Sequence, residues 1–300
     1  MRATTLEGPE KLRRMISKGG CTPVPGVFNP AVALLAQKAG FKALYFSGAA
    51  FSGQLGLPDL GVTTLTEVAA SVAQITSRVG LPIIVDVDTG FGESVNMART
   101  VAMMERAGAA AIQVEDQVLP KRCGHLEGKQ LVSAGEMVEK LLAAKEASTR
   151  GIVVIARTDA ASVEGIDAAM ERSRLYARAG ADVIFPEALR NAAEFREFAS
   201  KVKSPLLANM TEFGKTDYIP VSEFERLGYR FVIFPVTVFR VAMKSARDAL
   251  RELASKGTQR GLLERMMDRN EFYDLIGYGA FEASDGRIAR KAKRLLDTNL

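Results

Sequence analysis

Tryptophan is absent from the 300-residue chain, histidine occurs once and cysteine twice. A single histidine, His125, leaves no material for a histidine-rich metal centre. Cys21 and Cys123 are too few for a disulfide framework and match no zinc spacing, which fits a reducing compartment. No run approaches the roughly 18 apolar residues that a membrane span needs. The N-terminal MRATTLEGPEKLRR carries Glu7 and Glu10 where a signal or transit peptide would be apolar or purely basic, so a cytoplasmic protein is expected. No strand is followed by G-x-G-x-x-G, and G-x-x-x-x-G-K-[ST] does not occur, which removes dinucleotide and P-loop phosphate cradles. The excess of 40 Lys and Arg over 35 Asp and Glu is scattered. Its densest run, Arg287, Arg290, Lys291, Lys293 and Arg294, reads as a solvated helix face, and no basic stripe is interleaved with aromatics. Nucleic acid and membrane are therefore not expected partners.

What is present is ample core: 47% hydrophobic residues against 25% charged. Short β-branched runs begin near Thr22, Ala43, Ile83, Ala111, Ile152, Asp182, Leu206 and Arg230, and amphipathic stretches with helical spacing lie between them. Ala39-Gly40, Ala107-Gly108, Ala179-Gly180 and Leu227-Gly228 close four of these stretches with a glycine suited to the left-handed C-cap. LPIIVDVD and GIVVIART are apolar on both faces, as a buried parallel sheet requires. Eight such β-α units predict an α/β fold, a (β/α)8 TIM-type barrel, spanning one domain over residues 1–300. Helical patterns beyond the eighth strand predict a C-terminal extension over about residues 241–300.

Barrel chemistry collects at the C-terminal strand ends. Those ends carry Tyr45 and Ser47, Asp86 and Asp88, Glu115 and Asp116, Arg157 and Asp159, Glu187, and Asn209. Two carboxylates two residues apart on a strand face the same side and repel unless a cation lies between them. Asp86 and Asp88, with Glu115 directly or through water, suit Mg2+ or Mn2+ more than Zn2+. Capping of the following loop by these acids is the alternative. Arg157 and Asn209 would face them, the guanidinium offering a fork to a substrate carboxylate, or instead pairing Glu187. An organic acid is the expected substrate.

Leu119–Lys129 forms a long polar loop with Gly124 and Gly128 near its tip, suited to a lid. Cys123 lies among Lys121, Arg122 and His125, and their charge is expected to lower the thiol and make it an acid, base or nucleophile. Cys21, opening a strand, reads as inert.

Lys121-Arg122-Cys123-Gly124-His125, with Ser47-Gly48-Ala49, Gly56–Gly61, Asp86–Gly92, Val114-Glu115-Asp116 and Asn209–Gly214, resembles the isocitrate lyase and phosphoenolpyruvate mutase superfamily over about residues 10–284. Within it the similarity is greatest to the 2-methylisocitrate lyase branch. The resemblance implies a Mg2+- or Mn2+-dependent lyase that splits a tricarboxylate to pyruvate and succinate in propionate breakdown. It implies a homotetramer in which a C-terminal helix is exchanged between subunits. Asp86 and Asp88 would hold the metal with Glu115 nearby, while Ser47, Gly48, Ala49, Cys123, Gly124, Arg157, Glu187, Asn209, Met210, Thr211, Arg240 and Arg269 would contact substrate. Cys123 would be the general acid, and Tyr45, assisted by Arg157, the base. Sister lyases acting on dimethylmalate, isocitrate or oxaloacetate share the motif; a phosphonate mutase or a non-catalytic scaffold is a more remote alternative.

Overall fold

A computed structural model describes residues 7–297. The first six residues of the segment weighed above as a leader, and the last three of the C-terminal extension, lie outside them. The chain divides into two compact units, one ending at Val241 and one beginning at Ala242.

The first unit is an eight-stranded parallel sheet of β1 (Thr22–Val27), β2 (Leu44–Phe46), β3 (Ile83–Asp86), β4 (Ala111–Glu115), β5 (Val153–Thr158), β6 (Val183–Pro186), β7 (Leu207–Asn209) and β8 (Phe231–Phe234). Neighbours run β6-β5-β4-β3-β2-β1-β8-β7. The remaining gap is closed by a parallel bridge between Ile184 and Leu206, with Ile184 N–H donating to Pro205 at 2.9 Å. The ring is thus a (β/α)8 barrel. Helices begin where side chains can take up the free amides: Asn29 caps Pro30–Lys38, and Thr64 with Glu67 and Ser133 with Glu136 form reciprocal capping boxes. Gly40, Gly108, Gly180 and Gly228 end helices at φ of 84–100°.

Period-two alternation sorts the strands into two layers. Leu44, Phe46, Ile83, Val85, Ile112 and Val154 point outward into the core shared with the helices. Tyr45, Ile84, Ala111, Val153, Ile155, Val183, Phe185, Leu207, Phe231 and Ile233 fill the barrel interior. Followed toward the C-terminal ends, the same inward series arrives at Asp86, Gln113 and Glu115, Arg157 and Asp159, Glu187, and Asn209.

The helix Gly8–Lys18, which the periodicity reading did not single out, joins the interior layer. Its Leu12 is fully buried among Val24, Ala43, Ile84 and Phe231, and Arg13 reaches Asp182 at 2.8 Å.

In the second unit the latter part of the helix Thr237–Lys256 leads to the 3-10 turn Arg260–Arg265 and the helices Arg269–Ile276 and Tyr278–Asp297. Gly277, at φ 73°, reverses the chain between the last two, and Tyr273 stacks on Tyr278 at 4.4 Å between centroids. Leu250, Met266, Ile288 and Leu295 are exposed. Among the described residues no helix is long and apolar enough to cross a membrane.

Leu12→Ala should lower stability by about 2–5 kcal/mol, because the interior layer cannot collapse around the hole. The half-exposed Leu142, changed to Ala, should stay within about 0.5 kcal/mol. Equal, small shifts in chemical-denaturation midpoints would contradict Leu12's place in the interior.

Candidate active site

The inward series and the strand-end loops converge on one pocket. Its lining includes Tyr45, Ser47, Ala49, Asp86, Cys123, Gly124, Arg157, Glu187, Asn209, Thr211 and Arg240, all expected from the sequence. It also includes Phe185 and Pro235, whose chain positions mark them as wall residues for a substrate methyl, together with Asp59, Lys121, His125 and Ile233. Asp59 lies in the Gly56–Gly61 segment, and only that segment's membership in the motif set marked it.

The strand ends before Asp88, contrary to the reading that placed both aspartates on one strand face. Asp88 takes a left-handed φ of 48°, opening a turn that continues through Gly90, Phe91 and Gly92, all at positive φ. The two carboxylates still converge. A Cβ added at Gly48 would lie 3.0 Å from Asp86 Oδ2 and 3.5 Å from Asp88 Oδ1, so glycine there leaves room for the pair. Gly48 N–H donates to Asp86 at 3.3 Å. Burial, then the charge of Asp88, pushes the Asp86 carboxyl up to about 6. Glu115 is also raised well above its usual value, by burial working against Arg157 and Lys121.

Register pairs Glu115 with Arg157 across β4 and β5, and Arg157 Nη1 lies 3.0 Å from Glu115 Oε2. Nε of the same guanidinium donates to Asp159 at 2.9 Å. The Arg157–Glu187 salt bridge held open above gives way to these two contacts. Lys121, from the loop, pairs Asp59 and lies 2.8 Å from Asp88. Burial works to lower this ammonium, but Asp88, Glu115, Asp59 and Asp86 together hold it well above its usual value.

A hard divalent cation fits these residues by their donor chemistry. Asp88 Oδ1 and both Glu115 oxygens are buried and accept no directed hydrogen bond, although Lys121 and Arg157 stand within ion-pair range of them. The set is carboxylate oxygen throughout. Among the described residues no three His, Cys, Asp or Glu side chains stand in ligating geometry, and Glu115 pairs Arg157 at 3.0 Å.

Cys123 is half-buried at the loop tip. Burial raises its thiol above the usual value; a hydrogen bond from the His125 N–H works against this, and Glu187 adds to it. The expected lowering is therefore reversed, because the basic neighbours are engaged elsewhere. Lys121 meets Asp59 and Asp88, Arg122 donates to the Glu127 carbonyl at 3.3 Å, and His125 Nε2 lies 3.0 Å from Glu187. Gly124 packs directly on Glu187, where a Cβ would fall 2.3 Å from Cγ.

Asn209 Nδ2 donates to both Glu187 oxygens at 3.2 and 3.3 Å. Arg240 lies 3.2 Å from Glu212 and over the Phe213 ring at 5.4 Å. Met210 is buried in the outer core and accepts from Ile219 N–H at 3.5 Å, so its side chain faces away from the pocket. Arg269 starts the helix Arg269–Ile276 of the second unit, and the pocket lining does not include it. Tyr45 donates to Gln113 Oε1 at 2.6 Å; burial and Asp86 push its phenol well above its usual value, with Arg157 pulling the other way. Gln113, on the inward series of β4, was legible by alternation but not singled out.

The model of the family described as phosphoenolpyruvate phosphomutase matches residues 12–254. The chain belongs to that family. A 2-methylisocitrate lyase of Aeropyrum pernix is 57% identical over 95% of this chain and 92% of its own. Among solved structures, 2,3-dimethylmalate lyase superposes with a TM-score of 0.89 at 34% identity, covering 94% of this chain and 96% of that one. A phosphonopyruvate hydrolase solved with oxalate and Mg2+ gives a TM-score of 0.86 at 28% identity, covering 94% and 99%. Within the family this chain is a carbon–carbon lyase.

A raised, protonated thiol should alkylate slowly near neutrality. In a Cys21→Ser background, iodoacetamide labelling of Cys123 should still be climbing above pH 9.0 as the thiolate forms. A labelling midpoint below pH 7 would show that the cationic neighbours act on the sulfur after all.

Proposed function

We propose that the chain cleaves 2-methylisocitrate to pyruvate and succinate, a step of the methylcitrate cycle, with Mg2+ or Mn2+ held by Asp86 and Asp88 and with Glu115 in reach. The observation that carries this is the place of Cys123, its thiol raised by burial, in a pocket lined by the carboxylates of Asp86 and Glu187 and the guanidinium groups of Arg157 and Arg240. When bound, the metal supplies the positive charge that makes the substrate's 2-hydroxyl more acidic.

Arg157, Asn209 and the Ser47–Ala49 backbone orient the substrate carboxylates and meet the charge that develops on them. The C2–C3 bond breaks as the hydroxyl proton leaves, its electrons pass into the carboxylate of the departing four-carbon fragment, and the Cys123 thiol delivers a proton to the carbon. A thiol raised by burial is in the right state to give that proton. Tyr45, whose buried phenol donates to Gln113 and is raised by burial and Asp86, receives the hydroxyl proton only after its own proton has passed to solvent; Arg157 acts in the direction that favours this ionised form. Phe185 and Pro235 line the pocket and would wall the 2-methyl group, a contact worth about 1–3 kcal/mol of discrimination.

A sister lyase for 2,3-dimethylmalate is the second reading, favoured by the superposition with that enzyme at a TM-score of 0.89. A cytoplasmic homotetramer completes the proposal. Pro25, Val32, Leu35, Phe41, Phe234 and Val238 leave an apolar groove over β1 and β8, where a helix of a second copy would lie. The single-domain barrel with a C-terminal extension then becomes an assembled unit, the extension serving its neighbours. Equilibrium sedimentation of the full chain should report four copies; a monomer at micromolar concentration would contradict the exchange.

Pyruvate release should be fastest from 2-methylisocitrate when it is offered in parallel with isocitrate, dimethylmalate and oxaloacetate, and EDTA should abolish it. Faster turnover of dimethylmalate would move the activity to the sister reading, and cleavage of none would overturn the lyase chemistry. Cys123→Ser should lower kcat by about 10^2–10^4-fold while substrate affinity stays close to wild type.

A further inference from the structure

One buried cation, tied to the pocket through Gly124 and Asp159, is not used by the reaction as described. Lys129, at the stem of the 118–130 loop, has a side chain only 1% exposed. It reaches back to the tip, donating to the Gly124 carbonyl, and forward to Asp159 Oδ1 at 2.8 Å. Asp159 is shared, because Arg157 donates to it from Nε at 2.9 Å and from Nη2 at 3.1 Å. The backbone of Asp159 is held in turn, its N–H donating to Asp116 at 2.9 Å. A continuous path therefore runs from the residue beside the thiol, through one ammonium and one carboxylate, to the guanidinium that meets Glu115. A buried ammonium is tolerated only where such partners surround it. A motion that swings the loop tip away from its stem would part Lys129 from the Gly124 carbonyl, so the tip's position and this pairing are linked.

We propose that Lys129 and Asp159 form a latch that holds the 118–130 loop closed and sets the poses of Cys123 and Arg157 together. Lys129 is then a positioning residue. Its effect on turnover rests on the lyase reading above, but its effect on loop closure does not.

The test uses the full chain in a Cys21→Ser background and reads two quantities: iodoacetamide labelling of Cys123 by mass spectrometry, and kcat and KM on 2-methylisocitrate. Lys129→Met should label about tenfold faster, since local opening exposes the sulfur. Loss of a nearby positive charge alone would raise the thiol further and slow labelling, so the direction separates opening from electrostatics. The same variant should lose about 10^2-fold in kcat with a much smaller change in KM, as expected for a misplaced acid. Lys129→Arg, which keeps the charge and the donors, should recover most of both. If Lys129→Met does not give a cooperative thermal transition, Lys129→Gln carries the same comparison. Unchanged or slower labelling in the neutral variant overturns the latch, whatever happens to kcat. Faster labelling with no cleavage by the unmodified enzyme leaves the latch standing and overturns the substrate assignment.

Discussion

Carboxylates crowd the C-terminal mouth of this barrel, and a low-dielectric interior tolerates them only when cations reach them. Asp86, Asp88, Glu115, Asp159 and Glu187 are all buried. Among the described residues, one strand-end cation, Arg157, serves Glu115 and Asp159. The others come from the loop after β4, Lys121 to Asp88 and Lys129 to Asp159, while His125 Nε2 lies 3.0 Å from Glu187. The loop's place beside the pocket and its ion pairs are thus one arrangement. The loop ties its side chains to the ends of β3, β5 and β6 and places the thiol in the pocket lining. Burial raises the Cys123 thiol, and the basic side chains beside it are engaged elsewhere, Lys121 by Asp59 and Asp88 and Arg122 by the Glu127 carbonyl.

Much of this was readable in the sequence because alternation along a strand is strict. The inward positions that include Ile84, Ala111, Ile155, Phe185 and Leu207 lead to Asp86, Glu115, Arg157, Glu187 and Asn209; the structure brings four of these to one pocket, with Glu115 paired to Arg157 beside it. The eight strands and their glycine-ended helices were legible for the same reason. What escaped depended on where regularity stops. Asp88 lies past the last strand residue in a left-handed turn, so a period-two argument places its chain position but not its backbone. Met210 follows β7 and faces the outer core, a direction that motif matching alone does not give.

Charge partners were the other blind spot. A cluster of Lys121, Arg122 and His125 around Cys123 reads in one dimension as a field that lowers the thiol, whereas in three dimensions each group has a nearer partner. Lys129 was visible only as one more polar loop residue, because its partner lies 30 positions away at Asp159. The helix Gly8–Lys18 was passed over because its apolar content is low, and its single deeply buried leucine is what matters.

The claim on which the rest depends is that the Asp86–Asp88 pair is a divalent-cation site that the loop ammonium partly balances. Calorimetric titration of Mg2+ into the EDTA-stripped, dialysed protein, without substrate, tests this most directly. The account predicts one ion bound per chain and loss of that binding in Asp86→Asn, with the fold retained by circular dichroism. Absence of Mg2+ and Mn2+ binding to the unmodified protein, or unchanged binding in Asp86→Asn, would contradict it.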